Sequence, residues 1–292
     1  MSSSPSLDRF RVPPGSRVRL KQWPTRIEPL LKGGKAYARA LAEHVERLGE
    51  LQQRLHASHS HALLLIFQGM DTAGKDGVIR HVMSGINPQG CQVVSFSHPS
   101  TQELAHDFLW RGVCELPARG RIGVFNRSWY EEVLVVRVHP DILRCEDVPG
   151  GPGADGKVWR QRFRSIVELE RHLDINGTRI LKFFLHLSRK EQRKRLLERI
   201  DDPDKRWKFD PADMRERAAW KDYMRAYGEC LEATSTRRAP WLVIPADDKD
   251  DARLLVSQAV LEALQSLRMR WPQPGPARQR ELRQIRKQLA RG

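Results

Sequence analysis

The residues with the clearest chemistry are GMDTAGKDG, Gly69 to Gly77, which follow the apolar run ALLLIF. Glycine, four residues, glycine and lysine stand in the order of a P-loop. Between a strand and a helix, the backbone of Gly69, Ala73, Gly74, Lys75, Asp76 and Gly77 can cradle an anion at the helix N-terminus. Lys75 can then reach a phosphoryl oxygen. Where a nucleotide-binding P-loop has Ser or Thr to hold Mg²⁺, this chain has Asp76, and Asp71 lies inside the loop. Bare carboxylates repel phosphate strongly at low dielectric, so a cation is implied. Asp71 is the expected ligand of Mg²⁺, with Mn²⁺ as an alternative, because such hard ions take one or two carboxylates plus water and phosphate oxygens. Asp76 reads equally well as a helix cap.

A second set lies in VFNRSWYEE, at the end of the third apolar run. The C-terminal ends of parallel strands are where ligands bind in open sheets, and Asn126 occupies the Walker B position there. Asn is a weak neutral ligand, so Glu131 or Glu132 is a further candidate to hold the metal or orient water. Arg127 offers bidentate donors to a bridging phosphate, or pairs with Glu along a helix face. A third set, Arg199, Lys205, Arg206 and Lys208 in RIDDPDKRWKF, reads as a lid at about residues 199–212 that closes over a transferring phosphoryl group. The alternative is a solvated charge run.

The elements that position these groups follow from periodicity. Residues 36–57 place apolar side chains at helical spacing, and ALLLIF, CQVVSF, RIGVF, RILKFFLHL and WLVI alternate with helical stretches. Short buried strands alternating with helices predict a parallel five-stranded sheet in a three-layer α/β/α domain over residues 35–270. Ser100 and Glu103 form a capping-box pattern. Residues 1–34 read as an N-terminal extension whose first seven residues are a disordered lead-in. Residues 148–157 and 272–276 read as loops, and residues 271–292 as a solvated basic tail.

Among 292 residues, 51 Lys and Arg face 36 Asp and Glu, a formal charge of +15. Such a charge concentrates polyanions, which leaves nucleic acid, anionic lipid and polyphosphate. No apolar run approaches the roughly 18 residues of a membrane helix, and no signal-peptide core opens the chain, so the cytoplasm is expected. Cys91, Cys114, Cys145 and Cys230 form no disulfide or zinc pattern and read as buried small hydrophobes. Trp129 and Tyr130 read as core.

Together, GMDTAGKDGVIRHVMSGINPQG, FNRSWYEEVLVVRVHP, ILKFFLHLSRKEQRKRL, DDPDKRWKF and TSTRRAPWLVIPADDK resemble the polyphosphate kinase 2 family, from about Arg9 to Pro274. The resemblance implies a P-loop kinase-like fold with a helical lid, and transfer of the terminal phosphoryl group of inorganic polyphosphate to a nucleotide with Mg²⁺. It implies Asp71, Lys75, Asn126 and Arg127 as catalytic residues, and Arg137 together with the lid cations as polyphosphate contacts. Many family members have Asp in place of Asn126; the Asn form resembles the single-domain subgroup that accepts nucleoside mono- and diphosphates, AMP to ADP to ATP, with guanine as an alternative base. A homo-oligomer, dimer or tetramer, is a family-level expectation. The competing readings are an ATP-dependent nucleoside monophosphate kinase and a nucleic-acid-binding P-loop protein. No nucleic-acid-binding motif appears, so neither nucleic acid nor membrane is an expected partner.

Overall fold

Continuous apolar runs make strands that need cover on both faces, and all five expected runs form strands. The computed structural model describes residues 6–145 and 156–291. Its strands are β1 (Ala62–Gln68), β2 (Cys91–Ser95), β3 (Ile122–Asn126), β4 (Thr178–His186) and β5 (Trp241–Pro245). They form one sheet in the order β2-β3-β1-β4-β5, with every pair parallel. The central β1 is buried along its whole length, whereas the edge strand β2 is half exposed.

Side chains alternate across the sheet and build two cores. Leu63, Leu65 and Phe67 pack on one face with the helices Gly34–Ser58, Lys75–Val82 and Lys249–Ser266. Leu64 and Ile66 pack on the other with Glu131–Val138, Lys157–Ile175 and Trp220–Thr234. Trp129 and Tyr130 belong to this second core and are wholly buried. The three-layer arrangement is therefore as expected. The capping box forms as well: Ser100 N–H donates to the Glu103 carboxylate and Glu103 N–H to the Ser100 hydroxyl, although the helix it starts spans only Thr101–Leu104.

Three expectations need correction. Leu7 is buried rather than part of a disordered lead-in, and Phe10 and Val12 join the two cores. The strap they form runs along β5, where Val12 N–H donates to the Trp241 carbonyl at 2.9 Å. The C-terminal basic stretch is solvent-exposed but helical over Pro276–Leu289. Of the cysteines, Cys230 is buried, Cys91 is partly buried and Cys114 is exposed, because it ends the short helix Trp110–Cys114 beside the edge strand. The side chain of Cys145 and most of the loop expected at 148–157 lie outside the described residues.

His186 ends β4 almost fully buried. Burial pushes its pKa below the ordinary value, against the opposing pull of the Pro24 carbonyl and Asp247. The unfolded chain then binds a proton that the folded one refuses, so stability rises with pH up to the unfolded value and is lost below it. Urea midpoints taken at about pH 7.5 and about pH 5.5 should fall less in His186→Gln than in the parent protein; an equal fall would clear His186.

Candidate active site

Helix Lys75–Val82 begins at the C-terminal end of the central strand, and its first amides have no intrahelical acceptor. The loop before it is bent by Gly74 at φ +100° and Gly69 at φ +154°. At Gly69 a Cβ would also meet the Leu185 carbonyl at 3.0 Å. Thr72 holds φ +63° without being glycine, a strained conformation.

The carbonyls of this loop are tied down one after another. Lys75 Nζ donates to Gly69 O at 2.8 Å and Met70 O at 3.5 Å. Gln192 Nε2 donates to Asp71 O at 3.3 Å. Arg195 Nη1 donates to Thr72 O at 3.1 Å and Ala73 O at 3.3 Å, while its Nη2 reaches Ala246 O at 2.7 Å and Asp247 O at 3.1 Å. Five consecutive carbonyls thus accept from side chains; of the N–H donors of the same peptides, that of Ala73 turns back to Met70 O at 3.0 Å, and those of Met70, Asp71, Thr72 and Gly74 are left for an anion.

Lys75 is buried inside this loop, and desolvation pushes its pKa down to about 8, helped by Arg127 and opposed by Asp71, Glu131 and Asp76. Arg127 bridges Asp71 at 3.1 Å and Glu131 at 3.0 Å, and Glu131 before all else holds its charge firmly in place. Its backbone lies at φ +67°. Buried neighbours just downstream hold this strain: the Tyr130 hydroxyl donates to Glu170 at 2.7 Å, and the wholly buried Lys182 donates to Glu170 at 2.6 Å, to the Tyr130 oxygen at 3.0 Å and to the Thr234 carbonyl at 2.7 Å. Asn126 pairs with Phe67 across the sheet, and its Nδ2 donates to Asp76 Oδ1 at 2.7 Å.

The fold therefore brings Asp71, Lys75, Asp76, Asn126, Arg127 and Glu131 together. It does not bring Glu132, which is buried between Arg111 at 3.1 Å and Arg162 at 3.5 Å. Arg137 is paired with Glu229 and lies over the Trp159 ring. In the segment expected as a lid, Arg199 bonds Asp213 and the Lys208 carbonyl, each at 3.1 Å, so it stitches that segment internally. Lys205 pairs with Asp202, Arg206 donates to the Ile200 carbonyl at 2.9 Å, and Lys208 lies over the exposed Trp207 ring.

Sequence reasoning missed Arg195 and Gln192. Both lie on helix Arg189–Asp201, whose charged sequence reads as a solvated face; their three-residue spacing was the one signal that they share a side. It also missed a cavity of about 210 Å³ at the end of β2, lined in part by Ser95, Phe96, Glu103, Trp110 and Arg111. The Asn126 amide reaches Ser95 Oγ at 3.5 Å, which places the cavity beside the loop.

An anion cradle at the end of the central parallel strand, with a buried lysine and a paired arginine at its mouth, defines a P-loop phosphotransferase. The polyphosphate kinase 2 family matches residues 32–271, and the chain belongs to that family. It is 60% identical over 281 residues to the ADP-polyphosphate phosphotransferase of Rhodopseudomonas palustris, covering 96% of this chain and 97% of that one. It is 44% identical to the AMP/ADP-polyphosphate phosphotransferase of Meiothermus ruber, covering 93% of this chain and 97% of that one. The crystal structure of polyphosphate kinase 2 from Arthrobacter aurescens TC1 superposes with a TM-score of 0.84 at 41% identity, covering 94% of this chain and 95% of that one.

Replacing Arg195 by Met would strip donors from four carbonyls, two in the loop and two after β5, of which those of Ala73 and Ala246 are buried and those of Thr72 and Asp247 partly buried. At about 1–3 kcal/mol for a stranded buried group, the variant should lose about 3 kcal/mol of stability or more, read by urea unfolding. Turnover well below the unfolding transition should fall about 100-fold, and parent-like turnover would show that the cradle keeps its shape without this residue.

Proposed function

We propose that the protein transfers the terminal phosphoryl group of inorganic polyphosphate to ADP, and also to AMP, with Mg²⁺ at the loop. The observation that carries this reading is the cradle whose five carbonyls are all turned to the protein, in a chain belonging to this family. The names of the two relatives supply polyphosphate as donor and ADP or AMP as acceptor.

The acceptor's terminal phosphate is already an oxyanion at neutral pH, so attack on the terminal phosphorus needs no general base. Its oxygen forms the new P–O bond as the bridging P–O bond of the donor breaks, and the leaving chain is one phosphate shorter. Catalysis is then positioning and charge neutralisation. Loop amides and Lys75 hold the transferring group. Arg127, which exchanges carboxylate partners for phosphate oxygens, meets the charge that develops on it. The cavity at the end of β2 suits the acceptor: Phe96 and Trp110, the latter stacked on His106, line it with aromatic rings, and Ser95 and Glu103 offer hydrogen-bonding groups. The adenine base is the expected one, with guanine as an alternative. The lid cations Lys205, Arg206 and Lys208 favour the donor.

The residues present fit a divalent cation. Asn126 Oδ1 is buried without a hydrogen-bond partner, beside the carboxylate of Asp76. Among the described residues no three of His, Cys, Asp and Glu gather as a metal site, so the protein offers Asp71, Asp76 and Asn126 as part of an oxygen shell that phosphates and water complete. Bound there, the ion would neutralise charge on the phosphates. Among the described residues no helix is long and apolar enough to cross a membrane; we place the protein in the cytoplasm and expect a homo-oligomer.

The test mixes the protein with Mg²⁺, long-chain polyphosphate and either ADP or AMP, without ATP, and separates the nucleotides by chromatography. ATP from ADP and ADP from AMP are expected; product only when ATP is supplied would point to an ordinary nucleotide kinase. Lys75→Ala and Asp71→Asn should each reduce turnover about 100-fold or more, with unchanged circular dichroism. In Asn126→Asp a third carboxylate would face Asp76, so Mg²⁺ should bind about tenfold tighter by calorimetry, and the ratio of AMP to ADP use should change. An unchanged affinity would remove Asn126 from the metal shell.

A further inference from the structure

Helix Pro276–Leu289 buries none of its residues and lies beyond the stretch that the family matches. From Pro276 to Arg291 the chain carries six Lys and Arg against one Glu, five of the six within the helix. That Glu281 is taken by Arg278 at 2.7 Å; among the described residues Arg280, Arg283, Arg286 and Lys287 have no ion-pair partner. At 3.6 residues per turn, Arg280, Arg283 and Lys287 fall on one face, at spacings of three and four, and that row extends about 10 Å, with Arg291 following in the turn after the helix. Leu282, Ile285 and Leu289 stand on the opposite face, all exposed.

Resting on the reading of polyphosphate as donor, we propose that this cationic face is a second polyphosphate seat, outside the active centre, which holds the distal part of long chains. A row of fixed cations on a narrow face matches a linear polymer with about one negative charge per phosphate. The helix has no aromatic residue on which a nucleobase could stack. Three apolar side chains make a small membrane anchor, and the excess of cations opposes pairing with a second copy of the same helix.

The test compares the full-length protein with a variant carrying Arg280→Ala, Arg283→Ala, Lys287→Ala and Arg291→Ala. Since the helix buries nothing, the domain should unfold at the same temperature in both. With chains of hundreds of phosphates at low salt, KM for polyphosphate should rise about tenfold, and the log–log dependence of KM on salt should become shallower by about 3. With oligophosphates of only a few units, which have no distal part to hold, kcat and KM should not change. An unchanged KM for long chains would overturn the proposal, as would an equal rise for short ones. Loss of binding to single-stranded DNA or to phosphatidylglycerol vesicles, with KM for long polyphosphate unaltered, would also overturn it and reassign the face. Failure of the parent protein to use polyphosphate at all would instead refute the donor reading.

Discussion

A loop that binds phosphate through its amides must send its carbonyls elsewhere, and the rest of this structure depends on where they go. Every peptide carries one donor and one acceptor on nearly opposite sides, so the direction of the N–H groups is set by what receives the C=O groups. Here the receivers are Lys75 from within the loop and Gln192 and Arg195 from helix Arg189–Asp201. Arg195 also takes two carbonyls of the segment after β5. One buried guanidinium thereby locks helix Arg189–Asp201, the cradle and the far edge of the sheet into one unit. Arg217 on helix Ala212–Ala218 donates to Gln192 Oε1 at 2.7 Å, so that helix is registered against the same loop through a single amide.

The turn after β3 is made rigid by a different device. Arg127 and Glu131 flank Trp129 and Tyr130, which are wholly buried, and the Tyr130 hydroxyl ends on the Glu170–Lys182 pair. Burial raises the pKa of Glu170 and lowers that of Lys182, and each partner opposes the shift of the other. A pair with both charges desolvated and their remaining hydrogen bonds met is costly to break from either side. That rigidity lets a non-glycine residue sit at φ +67° and aim its guanidinium at the loop.

The features legible in the chain and those hidden from it divide along physical lines. Buried parallel strands are continuous apolar runs, so ALLLIF and its four companions marked the sheet, and the glycine spacing after the first of them marked the cradle. Asn126 and Arg127 could be placed because ligands gather at strand ends. Arg195 and Gln192 were hidden because a charged helix looks the same whether it faces water or a row of loop carbonyls; only docking decides. Glu131 and Glu132 are neighbours in sequence, but a helix turns about 100° per residue, and Arg111, contributed from a different element, takes the second of them. The N-terminal strap was hidden for the same reason: LDRFRV is too short to show a period, and its burial arises from contact with β5.

The charges of the site bear on how the donor is chosen. Around the loop, the carboxylates of Asp71, Asp76 and Glu131 outnumber the cations of Lys75 and Arg127, and the neutral Asn126 keeps that excess small. A bound divalent cation would therefore leave the inner site positive, toward a polyanion. Polyphosphate has no base or sugar to be read, so its recognition must rest on charge and on the spacing of backbone donors. Hydrogen-bond readout has a use only for the acceptor, and the cavity beside β2 is lined with aromatic and polar groups of the kind it would need. The loop thus presents charge and the cavity beside β2 presents aromatic and hydrogen-bonding groups, and Asn126, bonded to Asp76 and within reach of Ser95, lies where the two meet.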